Sequence, residues 1–297
     1  MTLNKQIWVK QITQGFYPEG AFLQKATDYS ELVENNKIHI ASAGMDPEVL
    51  INNSTYPIAT VQRTDNDNEF ELDTLATQNT VVRRPEAIEY SYNKLESVIS
   101  QHRNVLRTAA LKRAAHAFAP ASHSADTPII QTSGEAYNGR KRLCFGDILA
   151  LKEAFDNALI PTEDRYIVLH PSHLTDLLKE DLSLFKDLTN IVDGEPIKMA
   201  GFGFFSFPYT ATYQTNAKTS QLEKVAFSSE QTNMFCSVAF YAKEVMKADG
   251  DIHMYSREDD PEERGTIVGF DKRFIALPIR NKGIGAIVSA TASTGGE

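Results

Sequence analysis

The hydrophobic pattern of the chain is dominated by one long amphipathic segment that ends before Pro120. Residues of its less polar face recur at steps of three and four, which predicts one face of an α-helix. They are Ile88, Tyr92, Leu95, Val98, Ile99, His102, Val105, Leu106 and Ala109. Arg83–Glu86 opens the segment and places Pro85 in the first turn, where its missing N–H costs nothing. Neither Gly nor Pro follows before Pro120, so about 34 residues, or roughly 50 Å, are predicted to be helical.

A polar segment that precedes this helix predicts a β-hairpin. Tyr56–Thr64 has the composition of a strand, Asp65–Asn68 is a strong turn signal, and Glu69–Leu72 alternates polar and apolar residues like a returning strand. The predicted hairpin has little apolar surface of its own. Because an isolated hairpin is marginally stable in water, we expect a neighbouring surface to hold it.

The first 53 residues predict little regular structure. Phe16–Gly20 is typical of a turn, and Tyr29–Asn35 predicts a short helix that stops at Asn35 and Asn36. Few residues here could form a core of their own. We therefore expect this part to lie against the rest of the protein.

The remainder of the chain predicts helices among strands without a regular βαβ repeat, which indicates the α+β class. One helix begins at Phe145–Asp147 with Asp147 as its N-cap, and another follows Ser172 as its cap, with Leu182–Leu188 adding further turns. Met234–Lys247 is apolar and stays unassigned. The predicted strands are Ile129–Ile130, Arg165–Leu169, Ile197–Phe207 (broken by Gly201 and Gly203), Lys224–Phe227, Ile252–Tyr255, Thr266–Leu277 and Gly283–Ser289.

Composition narrows the class of protein. At 297 residues and 42% hydrophobic content, the chain can build a substantial core, and no window approaches the roughly 18 apolar residues of a membrane span. Met1–Lys10 lacks the apolar region of a secretory signal. Cys144 and Cys236 lie far apart in apolar surroundings, which favours buried free thiols in a reducing cytosol over a disulfide. The net charge of −9 argues against a conventional nucleic-acid binder, but it permits a shell that encloses nucleic acid.

Two groups of candidate ligands fall short of a metal site. His170 and His173 flank a proline and lack a cysteine or carboxylate partner at zinc spacing, so a strand-to-helix turn capped by Ser172 is the better interpretation. Asp65, Asp67 and Glu69 alternate like the first ligands of a calcium loop, but the required Gly and distal Glu are missing. A solvated hairpin tip explains them better.

The remaining charged and glycine-rich stretches predict structure rather than chemistry. Gly201–Gly203 and Gly283–Gly285 are followed by strand residues, whereas a phosphate-binding loop needs a helix N-terminus there. Glu258–Glu263 is typical of a solvated turn, with an arginine of a neighbouring subunit as the alternative partner. The basic residues of the long helix indicate a solvated face or intersubunit ion pairs; they are Arg83, Arg84, Arg103, Arg107, Lys112 and Arg113. No catalytic, cofactor-binding or metal-binding residue is predicted, and the chain is not expected to be an enzyme.

A series of stretches between Tyr56 and Ser289 carries a family resemblance through its order. The stretches are Tyr56–Val82, Arg84–Glu86, Leu95–Val98, Gly146–Asp156, Tyr166–His173, Val238–Tyr241, Phe274–Pro278 and Gly283–Val288. Taken together, they resemble the major capsid proteins of tailed bacteriophages, which share the Hong Kong 97-type fold.

The resemblance implies an α+β capsid fold with four parts. These are an N-terminal arm (1–53), an extended hairpin loop (54–84), a peripheral domain built on the long spine helix (85–139 and 232–277) and an axial domain (140–231 and 278–297). Some relatives cross-link through a lysine of the extended loop. Tyr56–Arg84 contains no lysine, so no isopeptide bond is expected from this loop.

The function implied is structural. The chain is expected to self-assemble into the hexamers and pentamers of an icosahedral shell that encloses double-stranded DNA without sequence-specific binding. A separate scaffold protein is expected, because the chain begins almost at the arm, unless a scaffolding segment has already been removed. A portal and decoration proteins are further expected partners, with no membrane involved. The location implied is the virion capsid, assembled in the cytoplasm of the bacterial host.

Two alternatives remain open at the level of sequence. An encapsulin, which is a cellular nanocompartment of the same fold, would package a cargo enzyme instead of a genome. An α+β cytosolic enzyme would use His170 or His173.

Overall fold

The computed structural model describes residues 9–10, 12–13, 16–18, 21–42, 66–83, 94–180, 191–192, 195–196, 198–216, 218–227 and 234–292. Its helices include α1 (Lys94–Phe118), α2 (Phe145–Asn157) and α3 (Pro171–Glu180), together with short 3-10 turns at Phe22–Lys25, Ser30–Leu32 and Ala242–Glu244. The strands are β1 (Thr27–Asp28), β2 (Val33–Glu34), β3 (Lys37–Ser42), β4 (Asn66–Glu71), β5 (Asp73–Ala76), β6 (Thr80–Arg83), β7 (Ile129–Gln131), β8 (Ala136–Tyr137), β9 (Arg140–Lys141), β10 (Arg165–Leu169), β11 (Ile191–Val192), β12 (Glu195–Pro196), β13 (Lys198–Met199), β14 (Phe202–Ser206), β15 (Tyr213–Thr215), β16 (Leu222–Lys224), β17 (Cys236–Tyr241), β18 (Val245–Asp260), β19 (Gly265–Pro278) and β20 (Ile284–Val288).

The two largest sheets among the described residues contain eleven of these twenty strands. In the first, the long antiparallel pair β18–β19 lies at the centre, with β1 on the β18 side and both β5 and β6 on the β19 side. The second is six-stranded in the order β13-β14-β10-β17-β20-β7, and its parallel pairs are β10–β14 and β20–β7. Helices among mixed and antiparallel strands confirm the predicted α+β class.

The long helix is confirmed at its C-terminal end, where α1 stops at Phe118. Its predicted start lies partly outside the described residues, and Arg83 belongs to β6 rather than to the helix. The described 25 residues span about 37 Å. The predicted apolar face was wrong at Val105, which is 61% exposed, because the face buried against β19 runs through Leu106 and Ala110.

The predicted hairpin tip was wrong. Asn66–Asn68 lie in β4, which pairs in antiparallel register with β3, and Tyr56–Thr64 and Asp65 lie outside the described residues. Isolated Asp and Asn residues prefer turns, but ladder hydrogen bonds with a partner strand override that preference.

The predicted helix at Tyr29–Asn35 was also wrong, because only Ser30–Leu32 form a 3-10 turn and Val33–Glu34 form β2. Asn35 and Asn36 have φ of 51° and 63° and form a two-residue turn between β2 and β3. Two successive left-handed residues define the tight turn that suits the twist of a hairpin, and asparagine tolerates this conformation better than most residues.

Several strands lie close to their predicted positions. β10, β19 and β20 fall within two residues of the sequence predictions, and β7 is the edge strand expected at Ile129. The strand predicted from Lys224 instead ends there, because β16 spans Leu222–Lys224. The unassigned apolar stretch contains β17, a fully buried central strand of the second sheet.

The second sheet closes tightly on α2, and Gly285 marks the closest approach. A Cβ at Gly285 would lie 2.8 Å from the Phe155 ring and 3.0 Å from Leu151. We predict that Gly285→Ala lowers the free energy of unfolding by about 1–3 kcal/mol, since the added methyl group overpacks this contact. Urea unfolding followed by circular dichroism measures the change.

Gly146→Ala is the matched control. A Cβ there would lie 3.6 Å from the Cys144 sulfur, an ordinary contact, and alanine favours the helix by up to about 1 kcal/mol. This variant should be neutral or slightly stabilised. Equal unfolding midpoints for the two variants would contradict the close packing at Gly285.

Candidate functional site

Helix α1 is joined to the first sheet by polar contacts as well as by its apolar face. His102 Nδ1 lies 2.9 Å from the Thr77 hydroxyl, which in turn accepts a 3.0 Å hydrogen bond from the Phe270 N–H of β19. Further along, the Arg113 guanidinium pairs with Asp73 of β5 at 2.7 Å. The helix is therefore held to both β19 and the strand beside it.

The C-terminal end of α1 is capped by a side chain from another element. Lys224 Nζ donates to the carbonyls of Ala119 at 2.6 Å and His116 at 3.2 Å. A cation there satisfies carbonyls that lack helical partners and interacts favourably with the negative end of the helix dipole. His116 also donates to the Val225 carbonyl at 2.8 Å, so this end of the helix is tied to the β16 segment.

The N-terminal segment is docked on β18 and β19 by a cluster of charged side chains. Lys272 is 5% exposed in its side chain and contacts the Asp249 carboxylate at 2.6 Å. The same carboxylate accepts a 2.9 Å hydrogen bond from the Tyr17 hydroxyl. Lys247, also largely buried, pairs with Asp28 at 3.0 Å. Burial, and then the charge of Asp249, raise the pKa of Tyr17 well above its ordinary value, so its hydroxyl stays protonated as a donor.

The far end of the β18–β19 hairpin is an ordered acidic turn. Asp260 is 1% exposed, and one of its oxygens accepts the backbone N–H groups of Glu262 and Glu263 at 2.9 and 3.1 Å. Its other oxygen contacts Arg257 at 2.6 Å. These backbone hydrogen bonds lower the pKa of Asp260. The predicted solvated turn holds for Glu258 and Glu262, whereas Asp260 is a buried structural carboxylate. Within the chain, Arg83 also reaches the turn and contacts Glu263 at 3.2 Å.

The two histidines considered as metal ligands are engaged in structural contacts. His170 Nδ1 accepts the Ser172 N–H at 3.2 Å, so His170 caps α3 and the predicted cap at Ser172 was wrong. Both nitrogens of His173 lie 2.7 Å from serine hydroxyls, those of Ser237 and Ser289. These serines come from β17 and the end of β20, so His173 ties α3 to the second sheet.

A buried ion pair beside these histidines was missed by the sequence analysis. Arg140 donates to both oxygens of Asp176 at 2.6 and 3.0 Å, and the Leu143 N–H donates to the same carboxylate at 3.2 Å. Asp176 is 3% exposed. The predicted cap of α2 was also displaced, because Asp147 is the third helical residue and accepts the Cys144 N–H at 3.0 Å.

The other sequence candidates lie apart from one another. Glu69 pairs with Lys37 across β3 and β4, and Asp67 lies in β4. Gly201 and Gly283 occupy turns with φ of 81° and 71°.

Both cysteines are free thiols. Burial raises the pKa of Cys236 to about 12, and Cys144 is only half-buried. Within the described ranges, no group of three or more His, Cys, Asp or Glu side chains could hold a metal ion, and no helix is both long and apolar enough to span a membrane.

Comparison of the sequence and the structure with known proteins identifies the fold. No protein-family model matches the sequence, and no curated protein matches it. The capsid of the cyanophage P-SCSP1u matches over 90% of this chain and 87% of its own, with a TM-score of 0.62 and 15% identity. The capsid of Ralstonia phage GP4 matches over 94% and 90%, with a TM-score of 0.59 and 10% identity. The chain has the Hong Kong 97-type capsid fold.

The capsid fold is also found in a virus-like particle from Pyrococcus furiosus. That match covers 96% of this chain and 100% of the other, with a TM-score of 0.59 and 10% identity. The predicted α+β capsid fold is thus confirmed.

The charged cluster at Asp249 left one signal in the sequence. Lys247 and Asp249 alternate with apolar neighbours along β18, so both point to the same face of the sheet. Lys272 lies on the adjacent strand, where it is paired with Ile252. Sequence alone does not give that register, and the cluster therefore could not be assembled from it.

We predict that Asp249→Asn destabilises the folded chain by about 2–4 kcal/mol, because it leaves the buried Lys272 without its carboxylate. Chemical denaturation measures the change. Asp251→Asn is the matched control, since Asp251 is exposed two residues further along β18. A loss at Asp251 as large as that at Asp249 would contradict the proposed role of the cluster.

We predict that acidification destabilises the second sheet through its two histidines. Burial, followed by nearby positive charge, lowers the pKa of His170 to about 4 and of His173 to about 3. Below an ordinary pKa of about 6.5 the unfolded chain binds protons that the folded chain excludes, so stability falls as the pH decreases towards 4. Each excluded proton contributes about 1.4 kcal/mol per pH unit.

Urea unfolding between pH 6.5 and 4.5 tests this prediction. His173→Gln should be less stable at neutral pH but should show a shallower loss on acidification than the wild type. His253→Gln is the control, because His253 is exposed on β18. Parallel pH profiles for wild type and His173→Gln would rule out this source of acid sensitivity.

Proposed function

We propose that this protein is a non-enzymatic capsid subunit that assembles with copies of itself into a closed icosahedral shell. The observation that carries the proposal is the extent of the structural likeness. About nine tenths of the chain or more superimposes on subunits described as phage capsids, and those subunits are covered to a similar extent. A shared fold of this extent includes the peripheral elements as well as the core, and peripheral elements are what a shell uses for contacts between subunits.

We assign roles to the four parts of the chain by analogy with the capsid fold. The arm (1–53) is assigned a docking role, supported by the pairing of β1 with β18. The extended loop (54–84) is assigned contacts with a neighbour. The peripheral domain (85–139 and 232–277) contains α1 and most of the β18–β19 hairpin, and the axial domain (140–231 and 278–297) contains most of the six-stranded sheet with α2 and α3.

The proposed shell consists of hexamers and pentamers and encloses double-stranded DNA in the virion of a tailed bacteriophage. Net negative charge supports enclosure without tight binding, because it limits attraction to the phosphate backbone. A scaffold protein, a portal and decoration proteins are the proposed partners during assembly in the cytoplasm of the host.

An encapsulin-type nanocompartment is the alternative function. The match to the virus-like particle from Pyrococcus furiosus, which covers that whole subunit, supports it. In that case the enclosed molecule would be a cargo enzyme.

Negative-stain microscopy and light scattering of the purified protein test the shell proposal. We expect closed particles or capsomer rings, either from the protein alone or after co-expression with the proposed scaffold protein. A protein that stays monomeric under all these conditions would overturn the proposal.

The contents of the particles separate the two kinds of shell. DNA that resists nuclease, together with portal and terminase genes beside the capsid gene, would support the phage capsid. A single co-purifying enzyme encoded next to the shell gene would support the nanocompartment.

A further inference from the structure

A basic and aromatic groove lies beside the C-terminal half of α1. We call it the Lys112 groove; its lining residues are Lys112, His116, Tyr209, Thr210, Thr212, Ala226 and Phe227. The ammonium group of Lys112 lies 3.5 Å from the centre of the Tyr209 ring, and the His116 ring packs edge-on against Phe227. The contacts between the helix and these two rings give the groove a fixed shape.

The groove exposes two aromatic rings beside a lysine side chain. Tyr209 is 43% exposed and Phe227 is 46% exposed. Arg113, which stacks over Phe227, already has Asp73 as its counter-ion. Among the described residues, no carboxylate lies within ion-pair distance of Lys112, whose ammonium group contacts the Tyr209 ring. Two exposed rings beside this cation fit a partner that combines carboxylates with apolar contact area.

The same chain carries a surface of complementary charge at the acidic turn that ends the β18–β19 hairpin. We call Glu258–Glu263 the acidic tip. Asp260 fixes the backbone of the turn from inside, as described above. Glu258 and Glu262 are exposed, and no cation contacts either of them among the described residues. The tip therefore presents carboxylates on a pre-ordered turn, which reduces the entropy lost on binding.

The groove and the tip of one subunit are too far apart to meet. Arg113 contacts Asp73, and Asp73 is opposite Phe274 in the β19 ladder, so the groove lies level with Phe274. The tip ends at Glu263, just before Gly265, and Gly265 is nine residues from Phe274 along β19. At about 3.4 Å per residue, this separation is roughly 30 Å along one paired hairpin. The acidic tip can therefore reach the groove only from a second copy of the chain.

We infer that the Lys112 groove of one subunit binds the acidic tip of a second copy. The inference rests on the proposed function, because it names one contact by which subunits would join. Groove and tip are different surfaces, so the contact is heterologous, and repeated contacts of this kind close into rings when the rotation between subunits allows it.

Charge exchange tests the inference. Lys112→Glu places like charges at the contact, and so does the double variant Glu258→Lys/Glu262→Lys. Each should reduce the initial rate of assembly, measured by light scattering, by tenfold or more. A chain that carries all three substitutions restores opposite charges and should recover assembly to within about threefold of wild type. Because 1.4 kcal/mol corresponds to a factor of ten, losses of this size are within reach of one or two ion pairs.

Controls exclude general effects of charge and misfolding. Lys243→Glu reverses an exposed cation outside the groove and should assemble like wild type. Lys112→Gln removes the charge without creating repulsion and should give an intermediate rate. Each purified variant should also keep the wild-type circular dichroism spectrum and melting temperature before assembly.

The outcomes separate this inference from the shell proposal. Wild-type shells together with unchanged assembly of Lys112→Glu would overturn the groove contact and leave the shell proposal standing. Loss of assembly in Lys112→Glu that the tip substitutions fail to rescue would assign the groove to a different partner and overturn the pairing. A wild-type protein that never forms particles would overturn both.

Discussion

The packing of α1 against β19 is the contact on which the rest of the structure depends. A hairpin whose strands have 16 and 14 residues is far longer than most, and a two-stranded ribbon is only marginally stable in water. Leu106 of α1 lies in one buried cluster with Phe270 and Phe274 of β19, so the helix supplies the hydrophobic layer that the ribbon lacks. β1, β5 and β6 then cover the outer edges, and the ribbon becomes the centre of a sheet.

That central ribbon also determines where the N-terminal segment lies. Lys247 and Lys272 are almost fully buried on the sheet, and a buried ammonium group is costly unless it has a carboxylate and further contacts. Asp249 comes from the ribbon itself, whereas Asp28 and the rings of Phe16 and Tyr17 come from the N-terminal segment. Without that segment, Lys247 would lose Asp28 and the Tyr17 ring, and Lys272 would lose the Phe16 ring. The segment is therefore part of the folded sheet, not an appendage to it.

The sequence predicted those elements whose patterns are local. The C-terminal end of α1, the buried strand β10, the strand β19 and the Ile252–Tyr255 part of β18 follow from periodicity and from turn residues. The errors arose where contacts distant in sequence decide the outcome. β4 pairs with β3 despite its turn-forming composition, and Val105 is exposed because β19 approaches from the side of Leu106. The Lys112 groove could not be predicted from the sequence for the same reason, because Tyr209 and Phe227 approach α1 only in the folded chain.

The two surfaces of the proposed contact are connected through the packing of α1 against β19. The groove lies beside α1, and the tip ends the β18–β19 hairpin. A hydrogen bond to Thr77 and an ion pair to Asp73 of β5 join the helix to the segment beside β19. A contact between these surfaces would link the α1–β19 packing of one copy to that of the next. The angle between neighbouring subunits, and hence the curvature of the proposed shell, would then depend on the packing of α1 across β19. A substitution inside that packing, far from either surface, would change the geometry of assembly as well as the stability of the subunit.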